Sequence, residues 1–273
     1  MMDRFKNSGD YPDDMFINGA RAMELSDSTA MLVVVDVNRP SITDSPELLQ
    51  KIKTIVVLDH HRQSSEIISS AVLSYVEPFA SSTCEMVAEV LQYIADGIKM
   101  KQIEADAMYA GIVIDTNNFT NQTGVRTFEA AAFLRRCGAD VTRVRKMFRD
   151  DMADYKAKAV AISNAEVFEN AFAISVCPSD GLESPMIVGA QAANELMDIS
   201  GIKASIVMSL YNGVIYVSAR SIDEVNVQVM MEQLGGGGHR TIAGAQLTGL
   251  TIEEAEEKIK DVIRSMIEKG DIS

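Results

Sequence analysis

Two short runs of consecutive apolar, mostly β-branched residues, 31–36 (MLVVVD) and 54–59 (TIVVLD), lack the alternation of a half-exposed strand. That pattern predicts strands covered on both faces, as in a parallel sheet. Between them Ser45-Pro46 opens a predicted helix to about residue 51, with proline at its first position. Strand, helical crossover and strand make a parallel pair, and residues 71–76 predict a third strand. Ser82-Thr83-Cys84-Glu85 reads as a capping box, followed by Met86, Val87, Val90, Leu91 and Ile94 at helical spacing up to Gly97. Helices are predicted over 102–114 and over 127–137, the latter stopped by Gly138, and the charged stretch 141–160 predicts a connecting helix.

The pattern then changes. Residues 167–168 and 172–176 predict a short hairpin, and 204–210 with 214–219 a stronger one across Asn212-Gly213, a favoured two-residue turn. Pro185 starts a predicted helix to about residue 199, and another covers 226–234. Thr251 and Glu254 cap a final helix whose apolar stripe is Ile252, Ala255, Ile259, Val262 and Met266. The fold class expected is α/β. Residues 1–149 form a parallel-sheet domain, 150–165 a helical linker, and 166–273 a smaller α/β domain with a mixed sheet.

Composition narrows the function. With 273 residues, 47% hydrophobic and 23% charged, the chain has the makings of an ordinary globular core. No apolar run approaches the ~18–20 residues of a membrane helix, and the opening MMDRFKNSGD lacks a signal-peptide pattern. No membrane contact from these residues and a cytoplasmic location are therefore expected. Lys and Arg total 25 against 39 Asp and Glu, a net charge of −14, which argues against coating long nucleic acids. Cys84, Cys137 and Cys177 show no metal-binding or redox spacing and read as buried small hydrophobes in a reducing compartment.

Chemistry concentrates at the ends of apolar elements. Asp36 ends the first strand; His60 and His61 follow Asp59 at the end of the second; Asp115 closes an apolar helix. Polar residues at the carboxyl ends of parallel strands sit where α/β proteins bind ligands. Asp36, His60 and Asp115 offer mixed oxygen and nitrogen donors that suit a divalent ion such as manganese; the alternative is that each caps backbone or faces water. Gly235, Gly236, Gly237 and Gly238, followed by His239, could turn their amides onto an anion or admit a nucleotide closely, or form a flexible turn. Ser218 and Arg220 end the hairpin just before, where a guanidinium could grip phosphate.

Together these residues resemble the DHH phosphoesterase superfamily. Asp59-His60-His61 is its signature, and GGGGH with a following Ala-Gly pair resembles its DHH-associated carboxyl-terminal domain. The segments VVVDVNRPS, VVLDHHR, YVEPFASSTCEMV, AGIVIDTNNFT, TGVRTFEAA and SARSIDEVNVQVMMEQLGGGGH occur in the family's order. They are most similar to the catalytic half of GdpP-type cyclic-di-AMP phosphodiesterases. The resemblance implies a two-manganese hydrolase that opens cyclic di-AMP to linear 5′-pApA. By it, Asp36 bridges the ions, His60 binds one and Asp115 the other, His61 contacts the scissile phosphate, and Asp59 orients the histidines. Ser218, Arg220, Gly235 to Gly238 and His239 hold the far phosphate and an adenosine. It also implies a homodimer and a parent protein tethered to the cytoplasmic face of the membrane.

Two departures qualify that expectation. The family's first motif, His-x-x-x-Asp-x-Asp, is absent, and no histidine precedes His60. A piece of a longer or shortened protein is therefore expected, with weak metal binding and a sheet edge left bare. Ile242-Ala243-Gly244 also leans towards relatives that degrade very short RNA. The alternatives carried forward are an oligoribonuclease acting on short linear RNA and a catalytically inactive nucleotide-binding fragment.

Overall fold

The computed structural model describes residues 1–94, 97–222 and 224–270. They form two units, 1–149 and 150–273. The first begins with two short helices that the apolar pattern did not foretell, α1 (Met2–Asn7) and α2 (Gly19–Leu25). Phe5 is buried there between the rings of Tyr11 and Phe16. Then come β1 (Met31–Val35), α3 (Leu48–Lys51), β2 (Thr54–Asp59) and β3 (Leu73–Val76). They make an all-parallel sheet in the order β1-β2-β3, with Val33 opposite Val56 and Leu58 opposite Tyr75.

The parallel pair and its crossover are as expected; three details are not. The crossover helix is only four residues, because the chain from Ser45 and Pro46 makes tighter three-residue turns first. Coverage on both faces fails for β1, which lies at the sheet edge. Leu32 and Val34 pack on Ile55 and Val57, while Met31, Val33 and Val35 point outward and are about half exposed. Glu85 also leaves the expected capping box half made. Ser82 caps α4 (Thr83–Tyr93) by accepting from the Glu85 N–H, but the Glu85 carboxylate turns to Ser81 instead. The expected run of that helix to Gly97 crosses residues 95 and 96, outside the described residues.

Helices α5 (Gln102–Asp115) and α6 (Val125–Arg136) pack with α4 around Ala88, Tyr109, Ile112, Ala130 and Leu134. The expected single helix over 141–160 is two. α7 (Val141–Met147) joins the first unit's core through Val144, and α8 (Met152–Ser163) starts afresh behind an Asp151 cap. α8 is no linker. Its Ala157 and Ala161 are buried with Ala173 and Leu196 in the second unit.

That unit continues with β4 (Glu166–Phe168), β5 (Phe172–Cys177), α9 (Pro185–Leu196), β6 (Ala204–Tyr211), β7 (Val214–Ser221), α10 (Val227–Gln233), β8 (Gly237–Gly238), β9 (Ile242–Thr248) and α11 (Ile252–Glu268). The six-stranded sheet runs β4-β5-β6-β7-β9-β8, parallel only between β5 and β6, so it is mixed as expected. Period-two alternation divides its residues between two helical layers. Phe172, Ile174, Ile206 and Val217 pack with Met230 and Ile259 of α10 and α11; Ala173, Cys177 and Val207 pack with α8 and α9. In α11 Ile263 joins Ala255, Ile259 and Met266 as fully buried, while Ile252 and Val262 of the expected stripe pack against the same core partly buried. Among the described residues, no helix is long and apolar enough to cross a membrane.

Candidate functional site

In the first unit the ends of β1, β2 and α5 bring the expected residues together. Asp36 adopts a left-handed backbone, φ 65°, which aspartate tolerates better than most residues. Its N–H still donates to the Leu58 carbonyl at 3.0 Å, so the strand pairing ends as the chain turns away. Its carboxylate accepts from Thr83 Oγ1 at 2.9 Å, in the first turn of α4, where the helix dipole favours an anion. His60 Nε2 lies 3.6 Å from Asp36 Oδ1 and 4.0 Å from Asp115 Oδ2. His60 Nδ1 is 3.4 Å from the Ala80 carbonyl. His61 donates from Nδ1 to Asp59 Oδ1 at 2.7 Å and from its backbone N–H to the same oxygen at 3.1 Å. One donor atom each of Asp36, His60 and His61 lie within 4.8 Å of one another.

The electrostatics of this cluster call for a cation. Asp115 is the last residue of α5, where the negative end of the helix dipole disfavours a carboxylate. Burial raises its carboxyl and so does Asp36, while the imidazoles of His60 and His61 pull the other way without cancelling the rise. Asp59 is wholly buried, and among the described residues its Oδ2 has no hydrogen-bond partner. Asn38 donates from Nδ2 to the His61 carbonyl at 3.2 Å, yet its buried Oδ1 is also unpartnered among the described residues. Among the described residues, no lysine or arginine pairs with Asp36, Asp59 or Asp115. Both imidazoles have Nδ1 committed to an acceptor, which leaves Nε2 as the open nitrogen, the tautomer a metal ligand needs. A buried carboxylate with no lysine or arginine beside it among the described residues, two oriented imidazoles and two further carboxylates fit a divalent ion.

Cys84 borders the cluster without joining its donors. Burial, and then the charges of Asp115 and Asp36, push its thiol up to about 12, so it remains protonated. It packs where Gly111 has no side chain; a Cβ there would collide with its sulfur. Cys177 is buried as expected, whereas Cys84 and Cys137 are only partly so.

In the second unit Ser218 and Arg220 share one face of β7, opposite Gly244 and Ile242 of β9. Arg220 donates from Nε to Asn194 Oδ1 of α9 at 2.7 Å and from Nη1 to the Ala219 carbonyl at 2.8 Å. Among the described residues no carboxylate pairs with it, and burial lowers its pKa. A partly buried guanidinium without a counter-ion suits an anion. The glycines, however, do not turn their amides onto one point. Gly235 and Gly236 donate to the Glu232 and Met231 carbonyls, closing α10, and His239 donates to the Ile242 carbonyl. Gly237 and Gly238 are the strand β8 itself. Their bareness serves close approach to β9: a Cβ on Gly236 would sit 2.6 Å from the Ala245 Cα. At Gly237 a Cβ would meet nothing within 4 Å, so backbone stays approachable there.

Sequence reasoning missed the supports of the cluster. Thr83 was legible only as part of a helix cap, yet it holds Asp36; Asn38 and the Ala80 carbonyl hold the histidine segment. Their signal lay in the segments VVVDVNRPS and EPFASST, whose polar residues crowd the ends of strands and the start of a helix more densely than capping by Ser82 alone requires.

Comparison with known proteins agrees with this architecture. Residues 3–112 match the model of the DHH family, N-terminal domain, and residues 170–269 that of the DHHA1 domain. The chain is 43% identical over 255 residues to the cyclic-di-AMP phosphodiesterase GdpP of Geobacillus thermodenitrificans (strain NG80-2), covering 93% of this chain and 39% of that protein. It is 41% identical over 243 residues to the cyclic-di-AMP phosphodiesterase PdeA of Listeria monocytogenes serotype 1/2a (strain 10403S), covering 89% of this chain and 37% of the relative. The chain thus spans about two fifths of these relatives' length. In fold it is similar to the crystal structure of an exopolyphosphatase-related protein from Bacteroides fragilis, with a TM-score of 0.76, 19% identity and coverage of 97% and 79% of the two chains. The DHH signature on a parallel strand, followed in order by a DHHA1 domain, makes this chain a member of the DHH phosphoesterase family.

Proposed function

We propose that this chain is the catalytic region of a metal-dependent phosphodiesterase that hydrolyses cyclic di-AMP to linear 5′-pApA. The observation that carries the reading is the convergence of Asp36, His60, His61 and Asp115, without a basic counter-charge, in a chain 43% identical to a protein named for that activity. Asp36, His60 and Asp115 would hold manganese, with His61 beside them. When bound, the metal supplies Lewis-acid stabilisation of phosphoryl charge and lowers the pKa of water. The chain's own residues orient and position. Asp59 fixes the His61 ring through Nδ1, directing its function to Nε2, where it would meet the scissile phosphate. Thr83 holds Asp36, and the Ala80 carbonyl holds His60, where each would serve as a ligand.

Ser218, Arg220, Gly237 and His239 would grip the remote phosphate and an adenosine, so that binding energy from the non-reacting half positions the reacting one. Arg220, partly buried and without a carboxylate, supports that role best. The parent would act in the cytoplasm.

The test is product analysis with the chain, manganese and either cyclic di-AMP or pApA. Cyclic di-AMP should be bound and opened slowly to pApA, the His-x-x-x-Asp-x-Asp donors being absent, and Asp36→Ala or His60→Ala should abolish opening with the fold intact. Preference for pApA, or neither binding nor opening of cyclic di-AMP, would overturn the assignment.

A further inference from the structure

Two of the segments that carry the family likeness, YVEPFASSTCEMV and TGVRTFEAA, contribute no metal donor, yet the structure ties them together through one side chain. Arg126, in the first turn of α6, donates from Nε to Glu89 Oε1 and from Nη2 to Glu89 Oε2, both at 2.7 Å. Nη2 also reaches the Tyr75 hydroxyl at 3.3 Å. The same guanidinium stands 3.9 Å from Glu85 Oε1 and 4.0 Å from Glu77 Oε2. One cation thus gathers three carboxylates from β3's end and α4.

Two of those carboxylates hold the loop between β3 and α4. Glu77 accepts from the Phe79 N–H at 3.2 Å. Glu85, only 1% exposed, accepts from the Ser81 hydroxyl at 2.6 Å and the Ser81 N–H at 3.3 Å. That loop presents the Ala80 carbonyl to His60 Nδ1 and leads into Thr83, whose hydroxyl holds Asp36. The chain of contacts therefore runs from Arg126 through Glu77 and Glu85 to the loop, and from the loop to two ligand side chains.

We propose that Arg126 is a positioning residue that sets the orientation of His60 and Asp36, and with it the metal affinity of the site, through the loop 77–83. The inference rests on the metal reading of the site given above. Three carboxylates gathered this closely, one of them buried, need a shared cation to hold them together. A guanidinium can fork onto Glu89 and still face Glu77 and Glu85; an ammonium keeps the charge but not the fork. Without it the glutamates separate, Phe79 and Ser81 lose their acceptors, and the Ala80 carbonyl and Thr83 hydroxyl drift from their partners.

The experiment compares wild type, Arg126→Met and Arg126→Lys by manganese calorimetry and by NMR of the imidazoles. Three histidines make assignment by single substitution simple. Arg126→Met should weaken manganese binding by about ten-fold or more and shift the His60 resonances while leaving His239 unmoved. Arg126→Lys should fall between, and it carries the decision if the methionine variant does not fold. Unchanged affinity overturns the inference, even with a lower melting temperature, since the network would then be structural only. Weakened affinity with unmoved His60 resonances overturns it too, because the loss would not run through the loop. If the wild type binds no manganese, the metal reading itself falls and takes this inference with it; wild-type binding with an unaffected Arg126→Met refutes this inference alone.

Discussion

Asp59→Asn separates a carboxylate kept for stability from one kept for function. Asp59 is fully buried at the end of β2; Oδ1 accepts twice from His61, and Oδ2 has no partner among the described residues. Asparagine keeps the shape and the accepting oxygen but removes the charge and places an amide nitrogen where Oδ2 was. An unpaired buried amide costs about 1–3 kcal/mol, whereas a buried carboxylate with one oxygen unpartnered and only an imidazole beside the other costs several. The metal-free protein should therefore gain on the order of 1–2 kcal/mol, raising the first unit's melting temperature by about 2–4 °C per kcal/mol. The same change frees the His61 ring and removes negative charge beside the ligands. Manganese affinity should fall about 10–100-fold, or about 1.4–2.7 kcal/mol. Thermal melts in chelator and manganese calorimetry read the two effects, which have opposite signs. A variant that melts lower than wild type and binds manganese equally well would show that Asp59 is structural and refute the reasoning.

Gly236→Ala should destabilise the second unit by about 3 kcal/mol, because its Cβ would lie 2.6 Å from the Ala245 backbone. Gly237→Ala, facing open space, should cost no more than about 1 kcal/mol; equal melting temperatures for the two would contradict the packing account. Asp106 is buried, which pushes its carboxyl up, but two hydrogen bonds from Arg143 and one from the Asp140 N–H outweigh burial and hold it below the ordinary value. Its contribution to stability is thus present above the unfolded-state pKa of about 4 and lost as pH falls through the lower folded value. Asp106→Asn should cost about 1–3 kcal/mol at pH 7, discounted because Arg143 is partly exposed, and the gap in urea midpoints should close in acid. A gap independent of pH would count against the ion pair.

Strands and caps were legible where a local rule sufficed. The β-branched runs 54–59 and 204–210, the Asn212-Gly213 turn and the Thr251–Glu254 capping box all form as the pattern predicts. Readings failed where the deciding partner is distant in sequence. The run 31–35 looked fully covered because its residues are all apolar, but which of its faces is covered depends on neighbours the run does not contain. The charged stretch 141–160 reads as one helix until Val144 and Ala157 are seen in different cores. The glycine tetrad suggested a nest because glycine permits one; only β9, lying against it, shows that the freedom is used for close packing.

The chain alone determined the donor types and their places at the ends of apolar elements, since strand-end aspartates and an adjacent histidine pair follow directly from the order of residues. Tertiary structure decided that the Asp36 and Asp115 carboxylates both stand within about 4 Å of His60 Nε2, which parts of three elements, spread over eighty positions, achieve only when packed. It also decided which groups hold them, because a threonine hydroxyl, a backbone carbonyl and an arginine fork act through direction, and direction is a property of the folded chain.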